Sequence, residues 1–230
     1  MITSDWQSNE MQQVGTDYNS VEEVAAYDRR MGEFRDVTRE NAEMLGMLDL
    51  APGAAVLEIG CGTGRFARAA AAAGLRATAV DVSATMLVYV RQCVQEEGLS
   101  EIAMQHAGFL TMEFPPESFD AAVSGAALHH LPDAWKLVAL RNIARALKPG
   151  GQFILRDVVF VLREGESPEA CFERFVASLP SVRVEVACHV AQEFSTYDWI
   201  MEGLLVRAGF NIAAKQGVGE SFMEYHCRKG

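Results

Sequence analysis

The sequence has little positive charge and no long hydrophobic run. Lysine and arginine together number 20 against 31 acidic residues, which gives a formal net charge of -11 at pH 7. Nucleic-acid-binding proteins rely on basic side chains to neutralise phosphates, so this composition disfavours a nucleic-acid partner. A transmembrane helix needs about 20 consecutive, mostly apolar residues. No such run is present, and we expect no membrane span.

Paired cysteines are also missing. The five cysteines are Cys61, Cys93, Cys171, Cys188 and Cys227. They are odd in number and show no C-x-x-C spacing, which favours free thiols in a reducing compartment over a disulfide framework. The adjacent pairs Cys188-His189 and His226-Cys227 do not have zinc-finger spacing. We therefore expect no metal.

The beginning of the sequence does not have the pattern of a secretory signal. The stretch MITSDWQSNEMQQ is polar and contains no basic residue. Secretory signals begin with a positively charged region that is followed by an apolar segment. We therefore expect a cytoplasmic protein.

Short apolar runs and amphipathic stretches alternate from residue 54 onward. Half of the 230 residues are hydrophobic, which is enough for the core of one large domain. Strands that alternate with helices are typical of right-handed βαβ crossovers and a mostly parallel sheet. The predicted fold is therefore α/β, with a Rossmann-like doubly wound sheet. Strands are expected over 54–59, 75–80, 102–107, 119–125 and 152–160, and helices over 65–73, 84–97 and 134–147.

The flanks of this pattern are less regular. We expect residues 1–48 to form an N-terminal helical segment that covers the site, with a loose polar start and one or two helices from Val21 onward. The main domain is expected over 49–230, with 161–195 as a lid or insertion. Further helices are expected near 168–179 and 196–208, and two late strands at FNIAAKQ and SFMEYHC, paired as an antiparallel hairpin at the sheet edge.

The stretch VLEIGCGTG places three glycines directly after an apolar strand. In a doubly wound sheet, ligands bind beyond the carboxyl ends of the strands. Gly60, Gly62 and Gly64 can adopt positive φ, which lets backbone N–H groups approach a ligand. The following helix directs the positive end of its dipole to the same place. The loop is therefore expected to bind an anionic group of a ligand.

Two phosphate-binding motifs do not fit this loop. The dinucleotide fingerprint needs a glycine where Arg65 stands, and the P-loop needs a G-K-[ST] that is absent. Glu58 precedes the loop and suits an ammonium group instead. A ligand with ammonium, carboxylate and adenosine parts is S-adenosylmethionine. Asp81, at the end of the second strand, suits ribose hydroxyls of this ligand or of NAD; alternatively it caps a helix, although Ser83 is the better cap candidate.

Four stretches together resemble the class I S-adenosylmethionine-dependent methyltransferases, in the small-molecule branch typified by ubiquinone and menaquinone methyltransferases. The resemblance covers roughly residues 50–160. It implies a seven-stranded sheet with the last strand antiparallel, S-adenosylmethionine as cofactor, and methyl transfer to a small molecule. The stretches are VLEIGCGTG, VDVSATML, FPPESFDAAVSGAALHHLPD and RALKPGGQFILRD.

The resemblance also implies which residues contact the cofactor. The glycine loop lines the methionine end with Glu58 beneath it, Asp81 takes the ribose, and Val82 and Met86 pack on the adenine face. Met86 is alternatively a plain core residue, and Tyr27 resembles an aromatic residue that closes over the cofactor. The full predicted set is Tyr27, Glu58, Gly60, Cys61, Gly62, Gly64, Asp81, Val82, Met86, Gly108, Phe109, Gly125 and Ala126.

One position departs from the family pattern. Related sequences usually carry G-D-A at the end of the third strand, where the acid accepts a hydrogen bond from the adenine amino group. The corresponding triplet here is Ala107-Gly108-Phe109. Either backbone groups or another side chain must hold the adenine edge, with Phe109 a candidate for stacking near it.

Catalysis of methyl transfer depends mainly on aligning the acceptor, and a general base helps only if the acceptor loses a proton. His129 and His130 follow the fourth strand and are the candidate bases; alternatively, one packs against the next helix and the other is solvated. Asp157, at the end of the fifth strand, is expected either to point toward the pocket or to stabilise a turn or cap.

The acceptor is expected to be a small molecule, because SGAAL stands where nucleic-acid and protein N-methyltransferases carry a proline-rich tetrapeptide. Apolar residues between 158 and 200 indicate an acceptor with an apolar part if they form a lid, or ordinary core if they do not. Two alternatives to an active methyltransferase stay open. One is a non-catalytic S-adenosylmethionine-binding module, and the other is a nicotinamide-dependent oxidoreductase. The sequence does not determine an oligomeric state.

Overall fold

The structure is a computed structural model that describes residues 5–12, 18, 20–32, 36–220 and 222–230. Its helices are α1 (Val21–Gly32), α2 (Val37–Leu48), α3 (Arg65–Ala72), α4 (Ala84–Glu96), α5 (Asp133–Ala146), α6 (Pro168–Ser178), α7 (Arg183–Gln192) and α8 (Asp198–Arg207). Its strands are β1 (Ala55–Ile59), β2 (Arg76–Asp81), β3 (Ala103–His106), β4 (Phe119–Gly125), β5 (Leu147–Phe160), β6 (Thr196–Tyr197), β7 (Phe210–Val218) and β8 (Phe222–Lys229). Short 3₁₀ turns cover Leu128–His130 and Pro180–Val182.

The strands form one twisted sheet in the order β3-β2-β1-β4-β5-β8-β7. Strands β1 to β5 pair in parallel, whereas β8 runs antiparallel to both β5 and β7. The two-residue β6 pairs with the end of β5 outside this path. The predicted Rossmann-like sheet with an antiparallel last strand is confirmed, and β6 is an addition that the sequence did not indicate. The strand order reverses between β1 and β4, which creates the crevice where ligands bind in such sheets.

Both faces of the sheet are covered by helices, so its central strand is buried throughout. All five residues of β1 are buried, which explains its continuous apolar run. Successive side chains of a strand point to opposite faces. Leu57 accordingly packs in the cluster that contains Ile143 of α5, and Val56 packs in the cluster that contains Phe66 of α3.

Helices α3 and α4 each end shortly before a glycine with positive φ, as the sequence predicts. Helix α3 is followed by Gly74 with φ of 80°, and α4 by Gly98 with φ of 62°. The end of α5 differs slightly from the prediction, because β5 already begins at Leu147 and takes in the KPGG stretch. The pairing of β4 with β5 shifts register at this point.

Residues 161–195 contain more regular structure than the sequence indicates. Helix α6 was predicted, but α7 was not, because only Val186 of α7 is buried and its sequence lacks a clear apolar stripe. The two helices pack on the end of β5 around a small third core. That core consists of Val158, Phe160, Cys171, Phe175, Val176 and Val186. The predicted helix near 196–208 begins later, at Asp198, because Thr196 and Tyr197 form β6.

The N-terminal segment contributes α1 and α2, as the helical pattern from Val21 predicts. Residues 1–4, 13–17, 19 and 33–35 of this segment lie outside the described residues, and the predicted loose start falls partly on them. The described parts are fixed to the main domain by specific contacts. Thr63 donates a hydrogen bond of 2.7 Å to Asp28 of α1, and Trp6 stacks on Trp135 of α5 with ring centroids 5.9 Å apart. Within the described ranges, none of the helices has the length and apolar character needed to cross a membrane.

Candidate active site

A cavity of about 450 Å³ lies at the carboxyl ends of β1, β2 and β4, beneath the N-terminal segment. Its size falls within the range of small-molecule sites, about 300–1,000 Å³. Most of the predicted cofactor residues line it, and so does the candidate base His130. The lining residues that the sequence predicted are Tyr27, Glu58, Gly60, Cys61, Gly62, Asp81, Val82, Met86, Gly108, Phe109, Gly125, Ala126 and His130. Gly64 and His129 lie elsewhere.

The glycine loop is shaped by contacts that exclude side chains. Gly60 has φ of 69°, and a Cβ there would lie 2.3 Å from Cβ of Ala127. Gly62 has φ of 51° and faces open space, so its backbone borders the cavity without obstruction. Gly64 has a different role from the one predicted, because a Cβ there would lie 2.7 Å from the Val90 side chain. Its small size lets α3 begin against α4.

Glu58 lies under the loop and takes the place of a helix cap. Gly64 precedes α3 and offers no capping side chain, and Oε2 of Glu58 accepts the hydrogen bond from the N–H of Ala67 at 2.9 Å. Burial raises the pKa of Glu58 to about 8, the nearby charge of Asp81 adds to this, and the Ala67 N–H opposes it. Glu58 is therefore mostly protonated at pH 7 and would ionise when a cationic group binds beside it.

Asp81 connects the second strand to the glycine loop. Its Oδ2 accepts from the N–H of Gly62 and its Oδ1 accepts from the N–H of Ser83, both at 2.8 Å. Burial raises the pKa of Asp81, and these two backbone bonds oppose the rise. Ser83 caps α4 by accepting from the N–H of Met86 at 3.1 Å. The cap role belongs to Ser83, and the remaining lone pairs of the Asp81 carboxylate are available to a ligand hydroxyl.

Just after β3, a carboxylate from the N-terminal segment lies against the glycine at position 108. The carboxylate of Glu10 accepts from the N–H of Leu110 at 2.9 and 3.0 Å and from Oγ1 of Thr111 at 2.7 Å. A Cβ on Gly108 would lie 2.3 Å from Oε2 of Glu10. Burial raises the pKa of Glu10 against the effect of these hydrogen bonds. Phe109, which was a stacking candidate, is buried in the main core.

The two candidate histidines have different surroundings. His129 is 5% exposed and binds Asp157 through Nδ1, with its Nε2 3.2 Å from Glu193. Burial alone would lower the pKa of His129, but the two carboxylates outweigh it and raise the pKa to about 9. His130 lines the cavity, and burial together with the charge of His129 lowers its pKa to about 4. At pH 7, His129 is charged and His130 is neutral.

Asp157 lies beneath the histidines rather than in the cavity wall. Its Oδ2 accepts from the backbone N–H of His129 at 3.1 Å. Although burial would raise the pKa of Asp157, the charge and hydrogen bond of His129 hold it below its usual range. Asp157 therefore orients His129, which is neither of the two roles that the sequence suggested.

Glu193, at the end of α7, joins this cluster from the opposite side. It contacts His189 as well as His129, and these contacts hold the pKa of Glu193 below its usual range against the effect of burial. Ligand atoms of His129, His189 and Glu193 lie within 4.8 Å of one another and could hold a metal ion. Within the cluster, Glu193 contacts a ring nitrogen of each histidine directly.

Several charged residues of the site were not predicted from the sequence, among them Arg156, Glu10 and Glu193. Arg156 lines the cavity next to Gly125, and its Nε donates to Glu224 at 2.8 Å, so its charge is compensated. Glu10 and Glu193 come from distant segments, and no local pattern in the sequence marks either one.

The described residues fit S-adenosylmethionine. The open backbone at Gly62 adjoins the titratable carboxyl of Glu58, which suits the amino-acid end of the ligand. Asp81 offers acceptors for hydroxyls, and the buried side chain of Met86 provides an apolar wall. These assignments stay predictions, since each is argued from the shape and charge of the cavity.

A family described as a methyltransferase domain matches residues 56–151. The chain is 32% identical to 27-O-demethylrifamycin SV methyltransferase of Amycolatopsis mediterranei over 54% of this chain and 46% of the relative. It is 30% identical to an S-adenosyl-L-methionine-dependent Diels-Alderase of Talaromyces variabilis over 76% of this chain and 59% of the relative. It is 27% identical to demethylmenaquinone methyltransferase of Listeria welshimeri over 89% of this chain and 87% of the relative. The chain thus spans about half the length of the first two relatives and most of the third.

Solved structures share the fold. A SAM-dependent methyltransferase from Aquifex aeolicus superimposes with a TM-score of 0.66 at 18% identity, over 92% of this chain and 99% of that one. At this identity the similarity concerns the fold alone.

Proposed function

Because residues 56–151 match a methyltransferase domain and the chain is similar to named methyltransferases, we propose that it is a class I S-adenosylmethionine-dependent methyltransferase that methylates a hydroxyl group of a small molecule with an apolar part. The cofactor supplies an electrophilic methyl group on a positively charged sulfur. The residues of the chain bind the cofactor, position the acceptor and receive the acceptor's proton. The observation that carries the choice of a hydroxyl acceptor is the neutral imidazole of His130 at the cavity wall.

Cofactor binding is assigned to the loop and strand ends that line the cavity. The backbone of Gly60 to Gly62 borders the amino-acid end, with Glu58 beneath it, and Asp81 accepts from the ribose hydroxyls. Val82 and Met86 form the apolar wall next to the base. We also propose that residues 1–48 cover the site, because Asp28 and Glu10 attach to its rim.

His130 is the general base in this proposal. A base must be unprotonated before the reaction, and the pKa of about 4 keeps His130 neutral at pH 7. The carboxylates of Asp157 and Glu193 both raise the pKa of His130 against burial and against His129. They would therefore stabilise the positive charge that His130 acquires. His129 already carries a proton and lies outside the cavity wall, so it positions the neighbouring ring rather than receiving the proton.

The acceptor side of the cavity is apolar next to this base. Leu131, Pro132 and Phe194 line the cavity together with His130, which supports an acceptor with an apolar part. The net charge of -11 argues against nucleic acid as substrate. Residues 161–195 would form the lid over this end, since Phe194 donates its N–H to the carbonyl of His129 at 2.9 Å. The absence of paired cysteine motifs supports a cytoplasmic location.

The test is a search for methylated products among small hydroxyl compounds incubated with the enzyme and S-adenosylmethionine. A product heavier by one methyl group, formed together with S-adenosylhomocysteine, is expected. His130→Ala should then reduce turnover by about 10²–10⁴-fold and leave cofactor affinity within about twofold. His226→Ala is the matched control, because His226 lies on β8 and bonds Gln152 at 2.9 Å. Full turnover of the His130→Ala variant would contradict the role of this residue.

The same experiment separates methyl transfer from its alternatives. The Diels-Alderase relative raises cyclisation as a second candidate, in which the acceptor changes while no S-adenosylhomocysteine is formed. A non-catalytic binding module would bind the cofactor and change no acceptor. Binding of NAD in place of S-adenosylmethionine would support the oxidoreductase.

A further inference from the structure

The chain has no acidic side chain at the position that follows β3, and the carboxylate of Glu10 lies there instead. Position 108 is glycine, so β3 supplies no carboxylate of its own to the cavity. The carboxylate of Glu10, distant in sequence, lies against the Cα of Gly108, where an added Cβ would be 2.3 Å from Oε2. Both Glu10 and Gly108 line the cavity. The N-terminal segment thus delivers an acid to the place that a side chain at 108 would occupy.

The carboxylate is held in a fixed orientation with acceptor capacity left over. It accepts from the N–H of Leu110 through both oxygens and from the hydroxyl of Thr111. The N–H of Gly108 in turn donates to that hydroxyl at 3.0 Å. Among the hydrogen bonds of the described residues, Oε2 accepts only the Leu110 N–H that it shares with Oε1, so Oε2 can accept a further hydrogen bond from a ligand in the cavity. The charge-assisted bond that it would accept is stronger than one between neutral groups.

A nucleoside whose ribose binds at Asp81 would place its base near this carboxylate. Asp81 is the proposed ribose acceptor, and the N–H of Ala107 donates to the carbonyl of Asp81 at 3.1 Å. Residues 107–109 therefore lie directly next to the ribose position, on the side away from the glycine loop. A purine attached to that ribose would extend over this segment, between Val82 and the Glu10 carboxylate.

We propose that Glu10 accepts a hydrogen bond from the exocyclic amino group of the cofactor's adenine and so selects adenine over a purine with oxygen at that position. The inference rests on the cofactor named in the proposed function. It makes the N-terminal segment a part of the cofactor site. Glu10 and the stacked pair of Trp6 and Trp135 are among the contacts that fix this segment to the main domain.

The test compares two ligands, S-adenosylhomocysteine and its inosine analogue, which carries oxygen in place of the amino group. Calorimetry on the unmodified protein should show at least about tenfold tighter binding of the adenine compound, which corresponds to about 1.4 kcal/mol. Glu10→Ala should lose this preference, because only the adenine compound uses the carboxylate. Asp5→Ala is the matched control, since Asp5 is an exposed acid of the same segment.

A carboxylate exchange distinguishes recognition from a purely structural role. The double variant Glu10→Ala, Gly108→Asp should recover most of the adenine preference, because it restores an acid to the same place from β3. Gly108→Asp alone should bind more weakly, since its side chain would meet the Glu10 carboxylate. Thermal unfolding of each variant establishes that it is folded. If folded Glu10→Ala keeps the unmodified preference, or if both ligands weaken equally without recovery in the double variant, the proposal is wrong. If the unmodified protein binds neither ligand, the cofactor assignment fails as well.

Discussion

Binding of S-adenosylmethionine is expected to release a proton from Glu58. Burial raises the pKa of this carboxyl to about 8, so about ten molecules carry the proton for each one that is ionised at pH 7. A ligand ammonium placed beside Glu58 favours the ionised form. Binding at pH 7 should therefore release about 0.9 proton from this group.

The same linkage sets the pH dependence of the affinity. The sign follows from the raised pKa, since the free protein holds the proton and the complex does not. Affinity should therefore increase with pH, by nearly tenfold per pH unit, or about 1.4 kcal/mol, as long as the pH stays below about 7 and the ligand amine stays charged. The effect should level off as the pH passes the Glu58 pKa of about 8.

Calorimetry in phosphate and in Tris at the same pH measures the proton count, because the two buffers differ in ionisation enthalpy. Glu58→Gln is the control variant, since its amide oxygen can still accept from the N–H of Ala67. Asp81, whose pKa burial also raises, is present in both proteins, and the difference between them isolates Glu58. Equal proton counts in the two proteins would refute the assignment of Glu58 to the ammonium group.

Three further substitutions test the other parts of the site. Asp81→Ala should weaken S-adenosylmethionine binding by at least about tenfold, or about 1.4 kcal/mol, because the ribose loses its acceptor; an unchanged Kd in calorimetry would count against that contact. Asp157→Ala should lower the free energy of unfolding by about 3–5 kcal/mol, since the buried and charged His129 loses the carboxylate that binds it. A loss below about 1 kcal/mol in urea unfolding would mean that the remaining partners suffice. Gly64→Ala should cost about 1–3 kcal/mol of stability, because φ there is 69° and the new Cβ would lie 2.7 Å from Val90. If Gly64→Ala also weakened S-adenosylmethionine binding as much as Asp81→Ala does, Gly64 would belong to the cofactor site, as the sequence predicted.

The parts of the site that the sequence predicted are those carried by local patterns. Strands β1 to β5 follow from short apolar runs between amphipathic stretches, and parallel pairing places their carboxyl ends at one edge. The glycine loop follows β1 and Asp81 ends β2, so the position of these strands in the sheet is enough to place both at the cavity. Helix α7 was missed because a mostly exposed helix has no apolar stripe to mark it.

Only the tertiary structure decided which charged groups meet. Adjacent in sequence, His129 and His130 have opposite protonation states at pH 7, because one ring is buried between two carboxylates and the other faces the cavity. Glu10 reaches Gly108 across about a hundred residues of sequence. The sequence by itself determined the α/β fold, the loop and the class of cofactor, because backbone conformation and periodicity depend on neighbours along the chain. The pKa values, the pairing of Asp157 with His129 and the origin of the carboxylate beside Gly108 depend on desolvation and on contacts between distant segments, and these exist only once the chain has folded.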